Sequence, residues 1–166
     1  MIITIQEAKT LGRPIGAMAP EKLQAYINEA EQQVKRAIGD ALFVAINDPV
    51  IAATEPYKTL LNGGTYTNGG RTYCFRGLKV ATAYLTDAKA MMTGDIESTR
   101  YGYVQKSGDY SQAIDGGRLS SAYNEIVEEG QIYLREAVQY AKANNLITCS
   151  AGGVMPSAGI RIKKVN

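Results

Sequence analysis

One run of the chain restricts its fold more than any other. GGTYTNGGRTYCF, residues 63–75, leads without a break into RGLKVATAYLTDAKAMM, residues 76–92. In the first half, Thr65, Tyr66 and Thr67 face Arg71, Thr72 and Tyr73 across Asn68-Gly69-Gly70. β-favouring residues around a turn whose Asn and Gly accept positive φ read as a hairpin over residues 64–74. So short a hairpin is marginal alone and must lean on a helix or on another chain. In the second half, Leu78, Ala81, Leu85, Ala88 and Met92 form one stripe of a helix, with Ala83 and Ala90 elsewhere, and the many alanines permit close helix approach.

The rest of the chain is read around this unit. Residues 20–45 carry Leu23, Ile27, Ala30, Val34, Ala37, Ala41 and Ala45 at alternating steps of three and four, which predicts a long first helix. Pro20 and Glu21 suit its first turn, Asn47-Asp48-Pro49 stops it, and Gly39 marks a kink. A short helix is expected over 55–61, entered at Pro56 and left at Asn62-Gly63-Gly64. Residues 93–117 show little periodicity and read as an extended loop with a short strand near 101–105. A last helix over 118–144 has its seam at Leu119, Tyr123, Ile126, Gly130, Tyr133, Ala137 and Tyr140, with Asp115 or Gly116 as its cap. The expected fold is mainly α: a small bundle of three long helices plus a short helix, with one β-hairpin, an extended loop and a C-terminal tail. Residues 1–146 form the helical domain. Residues 147–166 form the tail, where small residues separate two β-favouring runs that cannot bury much within their own domain.

What is missing narrows function. The 166 residues contain no histidine, which removes the commonest general base near neutral pH and the commonest transition-metal ligand. No catalytic, cofactor-binding or metal residue is expected, and the reading is non-enzymatic. Carboxylate pairs, a lysine or a nucleophilic Ser or Cys remain chemically available, but no spacing argues for a reaction. The glycine pairs 63–64, 69–70, 116–117 and 152–153 lack the context of a phosphate loop and read as turns and caps. Glu125, Glu128 and Glu129 read as the solvated face of a helix. Cys74 and Cys149 have no CxxC spacing and read as free thiols. No secretory leader or membrane-length apolar run is recognised, so synthesis in the cytosol and no membrane partner are expected.

Surfaces are therefore where function is sought. Tyrosine offers large contact area with a polar tip, so Tyr66 and Tyr73 are read as interface residues ahead of solvent-facing decoration. The segment STRYGYVQKSGDYS, residues 98–111, places Arg100 beside Tyr101 and Tyr103, which could bind phosphate and stack bases. A formal charge of only +2 argues against strong nucleic-acid binding as the main role. Lys163 and Lys164 could touch DNA or acidic protein, or simply aid solubility.

A long first helix, a short helix, an NGG hairpin running into FRGLKVATAYLTDAKAM, then Thr99, Gly102, Val104 and Lys106 in T-x-x-G-x-V-x-K, and a long final helix form a succession over about residues 15–145. It resembles the head-tail connector (adaptor or head-completion) proteins of tailed bacteriophages. The resemblance implies a virion protein, assembled in the host bacterial cytoplasm, that forms a ring at the neck. Such rings are typically twelve-fold, dock under the portal protein, contact other neck or tail proteins and continue the DNA channel without sequence-specific binding. Ring subunits need two different patches. Tyr66, Tyr73, Arg100, Tyr101, Tyr103, Ile147, Met155, Ile160 and Ile162 are the expected subunit or portal interface, with the loop over 98–111 and the tail as gripping segments. The alternative is a monomeric neck or tail-completion module contacting DNA or another virion protein.

Overall fold

The computed structural model describes residues 1–13, 18–93, 96–99, 102–105 and 116–147. Thr4 opens a helix that sequence periodicity missed, α1 (Ile5–Leu11). Its hydroxyl accepts the Glu7 N–H at 3.2 Å while the Glu7 carboxylate accepts the Thr4 N–H at 2.8 Å, a reciprocal capping box. Helix α2 (Pro20–Ile38) then buries Leu23, Ile27, Ala30, Val34 and Ile38 along one stripe.

The helix expected over 20–45 is two helices. Gly39, at φ +85°, is a full break rather than a kink, and α3 (Asp40–Asn47) starts afresh beyond it. The break resets the buried face: Leu42 and Ile46 point inward, while Ala41 is exposed and Ala45 only half-buried. Asp48 then caps a single turn, α4 (Pro49–Ala52), accepting from Val50 N–H at 2.8 Å and Ile51 N–H at 3.3 Å. A cis Glu55–Pro56 bond leads into α5 (Tyr57–Asn62), the expected short helix, which buries Leu60 and Leu61.

The hairpin is where residues 64–74 place it. Strands β1 (Gly64–Asn68) and β2 (Arg71–Phe75) pair antiparallel from Gly64↔Phe75 to Asn68↔Arg71. Its loop is Gly69-Gly70, with φ +57° and +75°, the twist-matched two-residue turn. Its base is closed by backbone contact. A Cβ on Gly77 would lie 2.3 Å from the Gly63 nitrogen and one on Gly63 would lie 2.6 Å from the Arg76 carbonyl carbon, and both glycines have φ +84°. Only glycine lets the chain enter and leave the hairpin at one point.

Helix α6 (Gly77–Thr93) follows directly and is the centre of the molecule. Leu78, Ala81, Leu85 and Ala88 are buried as the stripe requires. Ala83, Ala90, Thr82, Thr86 and Asp87 are buried too, because α1, α2, α5 and the last helix pack around it on several sides. The two threonine hydroxyls are satisfied locally, donating to the carbonyls of Leu78 and Thr82 at 2.8 Å. In the stretch read as a loop with one strand, β3 (Ile96–Thr99) pairs antiparallel with β4 (Gly102–Gln105); β4 is the expected strand and β3 its partner.

The last helix, α7 (Gly116–Ala143), has 28 residues and is about 42 Å long at 1.5 Å per residue. Of the expected seam, Ile126, Gly130, Ala137 and Tyr140 are buried, while Tyr123 and Tyr133 are half-buried. Leu134, Val138 and Ala141 join them, so the buried stripe is broader than the seam drawn from sequence. The described residues are thus mainly α, with three long helices, four shorter ones, the β1–β2 hairpin and the small β3–β4 pair.

Candidate interaction surfaces

Alternation along the hairpin sends Tyr66, Tyr73 and Phe75 to one face and Thr65, Thr67, Thr72 and Cys74 to the other. The aromatic face turns inward. The Phe75 ring stacks on Tyr140 of α7 at 4.6 Å, and Tyr66 meets Phe75 and Tyr140 edge to face at 5.8 and 5.3 Å. Tyr140 donates its hydroxyl to the Pro56 carbonyl at 3.2 Å, fastening α7 to the entry of α5. Tyr73 stacks on Tyr66 at 5.4 Å and keeps 40% of its surface exposed. Burial pushes the Tyr66 and Tyr140 phenols above the usual range, with Tyr73 and Glu136 adding to the first and Glu55 to the second. These phenols are neutral anchors. The outward Thr and Cys face is exposed, and Cys74 is a free thiol there.

A second surface was not legible from the sequence. The break at Gly39 and the turn at Asp48 leave Val44 69% and Val50 75% exposed, beside exposed Ala41, Ile51 and Ala53. Single exposed aliphatics are ordinary, but a cluster on consecutive elements is the kind of patch that a partner covers. The charges are segregated as well. No Lys or Arg lies between Arg36 and Lys58, a span holding Asp40, Asp48 and Glu55; no Asp or Glu lies between Glu55 and Asp87, a span holding Lys58, Arg71, Arg76 and Lys79.

A third feature is polar and internal. The Asp87 side chain, 5% exposed, accepts the Arg13 N–H at 2.6 Å on Oδ2, while Oδ1 is buried with no partner. Burial pushes its carboxyl up to about 7 against the Arg13 N–H and charge, which favour the ionised form. The Arg13 guanidinium reaches Glu125 at 2.7 Å and Glu129 at 3.4 Å on α7. Two of the glutamates read as a solvated face therefore hold the N-terminal segment. Farther along, Lys79 pairs with Glu7 at 2.6 Å. No group of three or more His, Cys, Asp or Glu among the described residues could hold a metal ion, and no helix among them is long and apolar enough to cross a membrane.

Of the residues expected at an interface, Tyr66 is an internal anchor and Tyr73 the exposed member of the pair. Ile147 is half-buried and packs with Leu146 against the chain's own core. Tyr103 lies in β4 opposite Ser98. Arg100, Tyr101, Met155, Ile160 and Ile162 lie outside the described residues, as do Cys149, Lys163 and Lys164. The signals overlooked in the sequence were Thr4-x-x-Glu7 for the first helix and the uncharged run 41–47 after Gly39, too apolar for a surface helix with one buried stripe.

A protein-family model described as a family of unknown function (DUF6712) matches residues 34–150. No curated protein and no solved structure matches the chain.

Proposed function

We propose that this chain, which belongs to the DUF6712 family of unknown function, is a non-enzymatic virion protein of a tailed bacteriophage that assembles with copies of itself into a ring at the neck, between portal and tail, continuing the DNA channel. The observation that carries the self-assembly is the aliphatic corner of α3 and α4. Val44 and Val50 stand exposed although most of the other apolar side chains among the described residues are packed, and covering such a patch is favourable by about 25 cal/mol per Å² of apolar surface. A closed ring uses two unlike patches on each subunit, and the aliphatic corner and the threonine-lined outer face of the hairpin are unlike in composition. The resemblance of residues 15–145 to phage connectors supplies the place and the portal partner.

Light scattering on the purified chain, followed by negative-stain imaging with portal protein of the same virus, tests the reading. Rings, alone or templated on the portal, are the expected result. A strict monomer that ignores the portal would overturn it.

A further inference from the structure

We propose that residues 1–13 are a releasable strap over α6 and α2, closed while the Asp87 carboxyl beneath them holds a proton and loosened when it ionises. The strap is independent of the ring reading above. Its basis is the way the segment lies on that carboxyl. A Cβ on Gly12 would stand 2.1 Å from Asp87 Oδ2 and 3.0 Å from Oδ1, so the backbone of the segment rests directly on the group. Beneath it Asp87 is 5% exposed, accepts the Arg13 N–H at 2.6 Å and leaves Oδ1 with no partner. A carboxylate held there lacks the donors that would replace its water, and the neutral acid is far less costly to bury.

The charges nearby are committed elsewhere. The Arg13 guanidinium turns to α7, where Glu125 takes it at 2.7 Å and Glu129 at 3.4 Å. On α6, Lys79 is paired with Glu7 of α1 at 2.6 Å and Lys89 with Glu29 of α2 at 3.1 Å. Glu31 of α2, itself buried, accepts the Ile2 N–H. Burial therefore prevails at Asp87 over the Arg13 N–H and charge, which favour ionisation.

The segment is itself part of that burial. Lifting Gly12 and Arg13 away returns water to Asp87 and its carboxyl toward the ordinary range. The closed form thus binds the proton more tightly than the open one, and raising pH through about 7 shifts the balance toward opening. Ile2, Ile3 and Ala8 are buried and secure the other end, so loosening starts at Gly12 and Arg13. The capping box lets α1 move as one helical piece.

Hydrogen exchange of the folded full chain, read by mass spectrometry and corrected for the intrinsic effect of pH on amide exchange, tests the strap. Between about pH 6 and about pH 8, protection of residues 8–13 should fall about tenfold. Low urea should leave it unchanged, as for a local opening. Asp87→Asn keeps an acceptor for the Arg13 N–H and should abolish the fall. Arg13→Gln removes the ties to α7 and should lower protection at both ends of the range while keeping the fall. Protection in the wild type that is insensitive to pH would overturn the proposal, as would a fall that persists in Asp87→Asn. Amides of the segment that exchange only together with the α6 and α7 core would also overturn it, because the strap would then have no opening of its own. Should Asp87→Asn not fold, the wild-type and Arg13→Gln profiles decide: an Arg13→Gln profile without the fall would assign the effect to the Arg13 ion pairs and overturn the role of Asp87.

Discussion

Asp87 is the residue with the most to reveal in solution. Its folded pKa lies above the unfolded value, so its protonated form is the one that folding favours. The stability it contributes is present in full below about pH 4 and is lost as pH rises through about 7. Asp87→Asn keeps an acceptor for the Arg13 N–H and removes the charge. We expect the variant to gain on the wild type steadily from pH 4 to 7, by up to a few kcal/mol, and the gap to level off above, as read by urea midpoints across pH. A gap independent of pH would show that Asp87 ionises normally. Tyr140→Ala removes a buried ring stacked on Phe75 and should cost about 3–5 kcal/mol, whereas Tyr140→Phe loses only the hydroxyl and its bonds to Pro56 and Thr59, about 1–2 kcal/mol; thermal melts separate the two. Gly77→Ala meets both a positive φ and the Gly63 backbone at 2.3 Å, so it should cost more than about 2 kcal/mol. Gly69→Ala, with open space around it, should cost about 1 kcal/mol by the same measurement.

At the scale of elements, what could be read from the sequence depended on how local its cause was. The hairpin followed from Asn68, Gly69 and Gly70 and their β-favouring neighbours, all within a few residues of one another. The long helices followed from periodicity. The break at Gly39 was harder, because Ala41 and Ala45 continue the 20–38 stripe in sequence, and only the competition of Leu42 and Ile46 for the core turns α3 away from it. Tyr66 shows the same limit. Its place on the inward face was fixed by strand alternation, but whether that face met its own chain or another was decided by Tyr140, 74 positions later. Asp87 was invisible as a special group, since a lone acid on an Ala-rich helix reads as solvated until Gly12 and Arg13 are brought against it.

At the scale of the molecule, charge segregation makes a statement about rates. A net charge of +2 gives little overall attraction or repulsion between copies, so encounter is governed by the separated acidic and basic spans. Raising salt from about 50 to about 500 mM shortens the screening length severalfold and should slow self-association by about tenfold, measured by stopped-flow light scattering. Reversing the hairpin charge with Arg71→Glu should slow association at low salt and blunt its salt dependence. A rate insensitive to both would mean that the spans do not face one another.

Helix α7 has a mechanical consequence. In its middle it is tied through Glu125 and Glu129 to Arg13, and near its C-terminal end Tyr140 holds the hairpin and the entry to α5. The two fastenings are 11 to 15 residues apart on an unbroken rod, about 16 to 22 Å. Helices are stiff along their axes, so a load applied at one fastening is delivered to the other with little loss, as along a strut pinned at two points.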